Sequence, residues 1–118
     1  MILGNLSTGL LYLADPATGH TTKIDLGGED LFYADGILLA GQTLYVVRNL
    51  LNEITEIRLS PDHKSGEVIG QIHNSDFRIP STIADFGNAL YAVNARFDVA
   101  PPPGIFPDDE FDIARVEK

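Results

Sequence analysis

Gln42-Thr43-Leu44-Tyr45-Val46-Val47-Arg48-Asn49 and Asn88-Ala89-Leu90-Tyr91-Ala92-Val93-Asn94-Ala95 are one pattern written twice at an offset of 46 residues. The same offset carries Ala34-Asp35-Gly36-Ile37 onto Pro80-Ser81-Thr82-Ile83. An earlier partial copy is visible in the turns, where Pro16 aligns with Pro61 at an offset of 45 and Gly19 with Gly66 at 47. Within each copy the apolar period is two. Leu11 and Leu13 alternate with Tyr12 and Ala14, and Ile54, Ile57 and Leu59 are spaced by Thr55, Glu56 and Arg58. Turn-forming clusters separate the runs: Asp15-Pro16-Ala17-Thr18-Gly19, Gly27-Gly28, Gly41-Gln42, Ser60-Pro61-Asp62 and Phe86-Gly87-Asn88. Short alternating runs between such turns form consecutive antiparallel strands. No stretch of helical length keeps a 3.6-residue apolar stripe, so little or no helix is expected.

A repeat of this length holding four strand-like runs is the sequence pattern of a β-propeller blade. The chain therefore reads as all-β, a partial propeller of about two to three four-stranded antiparallel blades. Residues 1–33 supply the end of one blade, with strands at Gly9–Asp15 and His20–Leu26. Residues 34–79 supply a whole one, with strands at Gly36–Ala40, Thr43–Arg48, Ile54–Leu59 and Glu67–His73. Residues 80–118 supply most of a last blade, with strands at Thr82–Phe86, Ala89–Asn94 and Phe111–Val116 and a proline-rich loop over 99–107. Proline lacks the N–H that a ladder needs, hence the loop. Nine strands in all are too few for a ring. Nor do two or three copies, at 18 or 27 strands, match the 24 of a six-bladed ring, so strand counting fixes no closed stoichiometry.

Composition bounds the rest. The chain has 118 residues, with 8 Lys and Arg against 17 Asp and Glu, a net charge of −9. Hydrophobic residues at 44% and charged residues at 21% suit one globular domain. With no cysteine, a disulfide scaffold, thiolate zinc site or cysteine nucleophile is excluded. The acidic balance disfavours nucleic acid and anionic lipid as partners. No apolar run approaches the roughly 20 residues that span a bilayer. The start, Met1-Ile2-Leu3-Gly4-Asn5, lacks the basic region of a signal peptide, so a soluble chain is expected.

Leu11-Tyr12-Leu13-Ala14-Asp15-Pro16-Ala17-Thr18-Gly19, the Asp35-Gly36 pair, Thr43-Leu44-Tyr45-Val46-Val47 and Phe86-Gly87-Asn88-Ala89-Leu90-Tyr91-Ala92-Val93-Asn94, in this order and spacing, resemble the C-terminal part of a six-bladed propeller. The family is the SMP-30/gluconolactonase/regucalcin-like superfamily. The resemblance implies a divalent metal, Ca or Zn, held in the central channel by Glu, Asn and Asp from different blades. It carries the family's Asp-Gly aspartate onto Asp35, as metal ligand and as catalytic residue acting on the attacking water. The implied activity is metal-dependent lactone or ester hydrolysis on a small-molecule lactone. The remaining ligands would lie on earlier blades, so this chain alone is expected to be inactive. A non-catalytic propeller used as a binding or assembly module is the alternative.

Individual residues keep two readings. Asp35 is a channel ligand, or a turn former as Asp-Gly often is. Arg48, Asn49, Asn94 and Arg96 end the two matched strands; they bind an anionic substrate or make up a solvated rim. Tyr12, Tyr45 and Tyr91 are expected to pack between blades. His20, His63 and His73 fall at turns and strand ends without metal spacing, and Ser81 and Thr82 have no triad context. Asp108-Asp109-Glu110 with Asp112 reads as an exposed acidic loop. Open blades leave apolar faces and unpaired edges, so the chain is expected to self-associate or to join the rest of a longer propeller.

Overall fold

A computed structural model describes residues 1–98 and 111–118. The architecture is all-β, with three antiparallel sheets in succession along the chain. The first holds β1 (Ile2–Gly4), β2 (Leu11–Ala14) and β3 (Thr21–Lys23). The second holds β4 (Ala34–Ala40), β5 (Thr43–Arg48), β6 (Glu53–Leu59) and β7 (Gly66–His73), joined in sequence order. The third holds β8 (Pro80–Phe86), β9 (Ala89–Asn94) and β10 (Ile113–Glu117). A single 3-10 turn, Asn49–Leu51, follows β5. The repeat is thus a repeat of sheets, each built as a meander.

Several boundaries differ from expectation; β2 is shorter than Gly9–Asp15, and β4 and β8 begin two residues before Gly36 and Thr82. The described residues hold ten strands, because Ile2–Gly4 pairs with β2 as β5 pairs with β6. Three residues are too short to show a period, which hid this strand. The strand expected over His20–Leu26 ends at Lys23. Beyond it Asp25 leaves the sheet and bridges to Ser65 on the neighbouring one, donating its N–H to Lys64 O at 2.9 Å. The last strand lies at Ile113–Glu117 instead of Phe111–Val116. The loop 99–107 and the cluster Asp108-Asp109-Glu110 lie outside the described residues.

The core sits between the sheets, in two layers. Leu11, Ile24, Leu26 and Leu31 pack with Leu44, Val46, Ile57 and Leu59 between the first and second sheets. Tyr45, Val47 and Ile54 pack with Ile83, Leu90, Ala92, Ala114 and Val116 between the second and third. Alternate residues of β5 thus serve opposite layers, and Val46 and Val47 are both fully buried, at 0% exposure. A strand buried on both faces belongs to a middle sheet in a radial stack.

The first strands of the second and third sheets pack closely at Gly36. A Cβ there would lie 2.6 Å from Ser81 O and 2.6 Å from Thr82 Cα, both backbone. The repeat extends to backbone detail. Tyr33 and Ile79, 46 residues apart, both have positive φ (68° and 52°) immediately before β4 and β8. Each accepts the N–H of the residue just past the following hairpin strand: Asn49 to Tyr33 O at 3.1 Å, Ala95 to Ile79 O at 2.9 Å. Asn52 Oδ1 accepts the Ile79 N–H at 2.7 Å, which ties the third sheet to the turn of the second.

Two outcomes follow from this packing. Gly36→Ala forces the sheets apart and destabilises by about 2–3 kcal/mol in urea unfolding. Gly41→Ala, at φ 63° with open space around it, costs about 1 kcal/mol through backbone strain alone. Burial, reinforced by the Glu56 carboxylate, raises the Tyr45 phenol above its ordinary value of 10.0. The stability from neutral Tyr45 is therefore fully present below that pH and is lost as pH rises through the higher folded-state value. Tyr45→Phe is expected to flatten this alkaline decline in thermal melts taken across pH.

Candidate functional site

The first cluster forms where β4 begins. The β4–β5 register runs Ala34↔Arg48 and then Ile37↔Val46, so Asp35-Gly36 stands in a β-bulge and not in a turn. The third sheet has its bulge at the matching place, between Pro80 and Thr82. Bulges re-aim side chains out of the ladder. Asp35 is exposed, and its Oδ2 accepts a hydrogen bond from Asn49 Nδ2 at 3.1 Å. Asn49 is buried, its Oδ1 accepting the Leu50 N–H at 2.7 Å. The sequence-derived pair Asp35 and Asn49 is therefore brought together.

Arg48 turns elsewhere. Its Nε donates to Phe32 O at 3.0 Å and its Nη1 to Glu53 Oε1 at 3.2 Å. Glu53 is buried, also accepts from Thr55 Oγ1 at 2.7 Å, and has His73 Nε2 at 3.5 Å from its other oxygen. A largely buried carboxylate needs such partners, since desolvation without them costs several kcal/mol. Arg48 is thereby occupied in holding the β5–β6 hairpin. Glu53 was not singled out by sequence reasoning, although it stands directly opposite Arg48 across the turn.

Asn94 and Arg96 belong to a second cluster, on the third sheet. Asn94 is fully buried; its Nδ2 donates to Asp76 O at 2.7 Å and Asp112 Oδ2 at 3.2 Å, and its Oδ1 accepts the Arg78 N–H at 2.8 Å. Both N–H groups and the oxygen of that amide are bonded within the protein, so the residue fastens the segment before β8 to the one before β10. Arg96 lines a cleft of about 430 Å³ with Asp76, Arg78, Phe111 and Asp112. Arg78 Nε donates to Asp98 Oδ2 at 2.8 Å, and this hydrogen bond holds the Asp98 carboxyl below the usual range. The lining carries both signs of charge and is not a purely cationic anion pocket. Asp35 is not among its residues.

The first cluster does not suit a resident metal. A hard cation takes oxygen donors, yet Asn49 presents its NH₂ to Asp35 and turns its oxygen to its own backbone. Among the described residues no three His, Asp or Glu side chains converge on one point. The described residues therefore do not form a cation site; Asp35 is a single exposed carboxylate held by an amide. Compared with known protein families, curated proteins and solved structures, the chain matches none.

Replacing Asn94 with Ala deletes three hydrogen bonds and leaves a backbone N–H without its acceptor. The expected loss is about 2–4 kcal/mol in chemical denaturation.

Proposed function

We propose that this chain is an arc of a propeller of the SMP-30/gluconolactonase-like type that works as an assembly module, completed by further sheets packed on its two end faces. The observation that carries this reading is the apolar character of those faces. On the third sheet the side turned away from the core bears Tyr91, Val93, Phe86 and Ile113, the last two 79% and 64% exposed, beside the exposed Arg115–Glu117 ion pair. On the first sheet the outward side bears Leu3 and Tyr12, with Lys23 opposite Tyr12. Scattered exposed hydrophobics are ordinary, but two apolar sheet faces at opposite ends of a repeat are characteristic of solenoids and propellers lacking a neighbour.

The second reading is the metal-assisted lactone opening that the resemblance implies. Favouring it is the bulge that turns the Asp35 carboxylate out of the ladder. In this reading Asp35 is the chain's contribution, and the other donors come from the sheets that complete the ring.

One set of measurements separates the two. For the assembly reading, light scattering across a concentration series gives a mass above 12.8 kDa, and chains isolated by dilution bind an apolar fluorescent dye. Leu3→Glu and Ile113→Glu reduce both signals while leaving circular dichroism unchanged. A natively folded chain that stays at the monomer mass and binds no dye overturns that reading. For the hydrolytic reading, Ca²⁺ or Zn²⁺ raises the melting temperature and a lactone panel shows turnover, both lost in Asp35→Ala. Indifference of the assembled protein to metal and to Asp35→Ala overturns it.

A further inference from the structure

The three sheets share two rims, and the rims differ in chemistry. At one rim stand the pairs Gly4↔Leu11, Ala34↔Arg48, Glu53↔His73 and Pro80↔Asn94, with the loops that join them. This rim is tied from sheet to sheet: the Tyr33 N–H donates to Leu6 O at 3.0 Å, and the Ile79 N–H to Asn52 Oδ1 at 2.7 Å. At the other rim stand the turns 15–20, 41–42, 60–65 and 87–88. Those turns hold none of the exposed large hydrophobic side chains. The loops of the first rim hold Leu6, Phe32, Tyr33, Leu50, Leu51 and Phe97, all exposed.

Uncovered end faces do not account for the centre of this patch. Phe32, Tyr33, Leu50 and Leu51 flank the second sheet, which has a sheet packed on each side. Nor does the local fold require them. The 3-10 turn Asn49–Leu51 is closed by Asn52 at φ 51° and by the Asn49 side chain, so it has no use for leucine. Tyr33, at φ 68°, holds a left-handed backbone that glycine or asparagine adopts more readily, and its ring stays exposed. Apolar side chains kept on loops against local preference, and left in water, mark an interaction surface.

The charge beside the patch has one sign. Along the chain Phe32 and Tyr33 are flanked by Glu29, Asp30 and Asp35, all exposed. Between Ile24 and Ile57 the only Lys or Arg is Arg48, which is committed to Glu53 and to Phe32 O. Asn49 takes one oxygen of Asp35, and the exposed carboxylate keeps acceptor capacity for a cation. The same carboxylates repel an anionic lipid surface.

We propose that this rim is a docking surface for a peptide segment of a partner protein in which basic and apolar side chains are mixed. The apolar ones lie on Phe32, Tyr33, Leu50 and Leu51, and a lysine or arginine meets Asp35. This surface is separate from the end faces, so the inference goes beyond the assembly reading and does not depend on it.

Fluorescence anisotropy of the full chain with a labelled lysine–leucine peptide tests the assignment, against glutamate–leucine and lysine–serine peptides of the same length. The first is expected to bind at least about tenfold tighter than either control. Leu50→Ser combined with Leu51→Ser is expected to weaken it about tenfold, and Phe32→Ser repeats the test from the neighbouring loop. Asp35→Asn is expected to weaken binding and to reduce its salt dependence. Phe86→Ser on an end face and Asp62→Asn on the opposite rim are expected to change nothing. All these positions are exposed, so each variant is expected to keep the wild-type circular dichroism.

Equal binding of either control peptide, an equal loss in Phe86→Ser or Asp62→Asn, or no binding of the lysine–leucine peptide overturns the docking surface. Binding to phosphatidylcholine vesicles that is lost in the Leu50 and Leu51 variant, with none to the peptide, assigns the patch to a lipid surface and overturns it equally. The mass and dye measurements that read the end faces are independent of each of these results.

Discussion

The structure depends on one strand being buried from both sides. β5 sends Leu44 and Val46 into one core and Tyr45 and Val47 into the other. No other strand among the described residues divides four consecutive buried side chains between two layers. Everything radial follows from this. β5 cannot face water on either side, so it needs a sheet on each flank, and the flanking sheets meet it through the same alternation. Hydrophobic burial is non-directional, but the pleat makes it two-sided and so turns a repeat in sequence into a stack in space.

The same requirement explains why the ends of the arc look as they do. A flanking sheet built from the repeat inherits the apolar pattern of a middle one, whether or not a neighbour is there to cover it. Tyr91 and Val93 are the inherited counterparts of Tyr45 and Val47. Both are half-buried, with exposed Phe86 and Ile113 beside them.

Chemistry in the chain is divided between two places. Asp35 and Asn49 meet at the bulge of β4, while Asn94 and Arg96 lie with Arg78, Asp76 and Asp112 around the cleft of the third sheet. Arg48 and Asn94 occupy matched repeat positions, yet one closes a buried ion pair with Glu53 and the other laces backbone segments together. The repeat conserves the path of the backbone more closely than the work of side chains at the strand ends.

The alternation of apolar residues, the turn clusters and the 46-residue offset were enough to determine, from the sequence by itself, an all-β chain of successive antiparallel sheets, because period and turn chemistry are local properties of the backbone. Most strand ranges, including Thr43–Arg48 and Ala89–Asn94, were legible for that reason. Ile2–Gly4 was not, since a three-residue edge strand is set by its partner β2 and not by its own pattern. Tertiary structure alone decided that Asp35 stands in a bulge facing an amide nitrogen, that Glu53 needs Arg48, and that Asn94 is sealed inside. Hydrogen-bond direction and burial arise from which segments are brought together across the fold, and no local spacing encodes that.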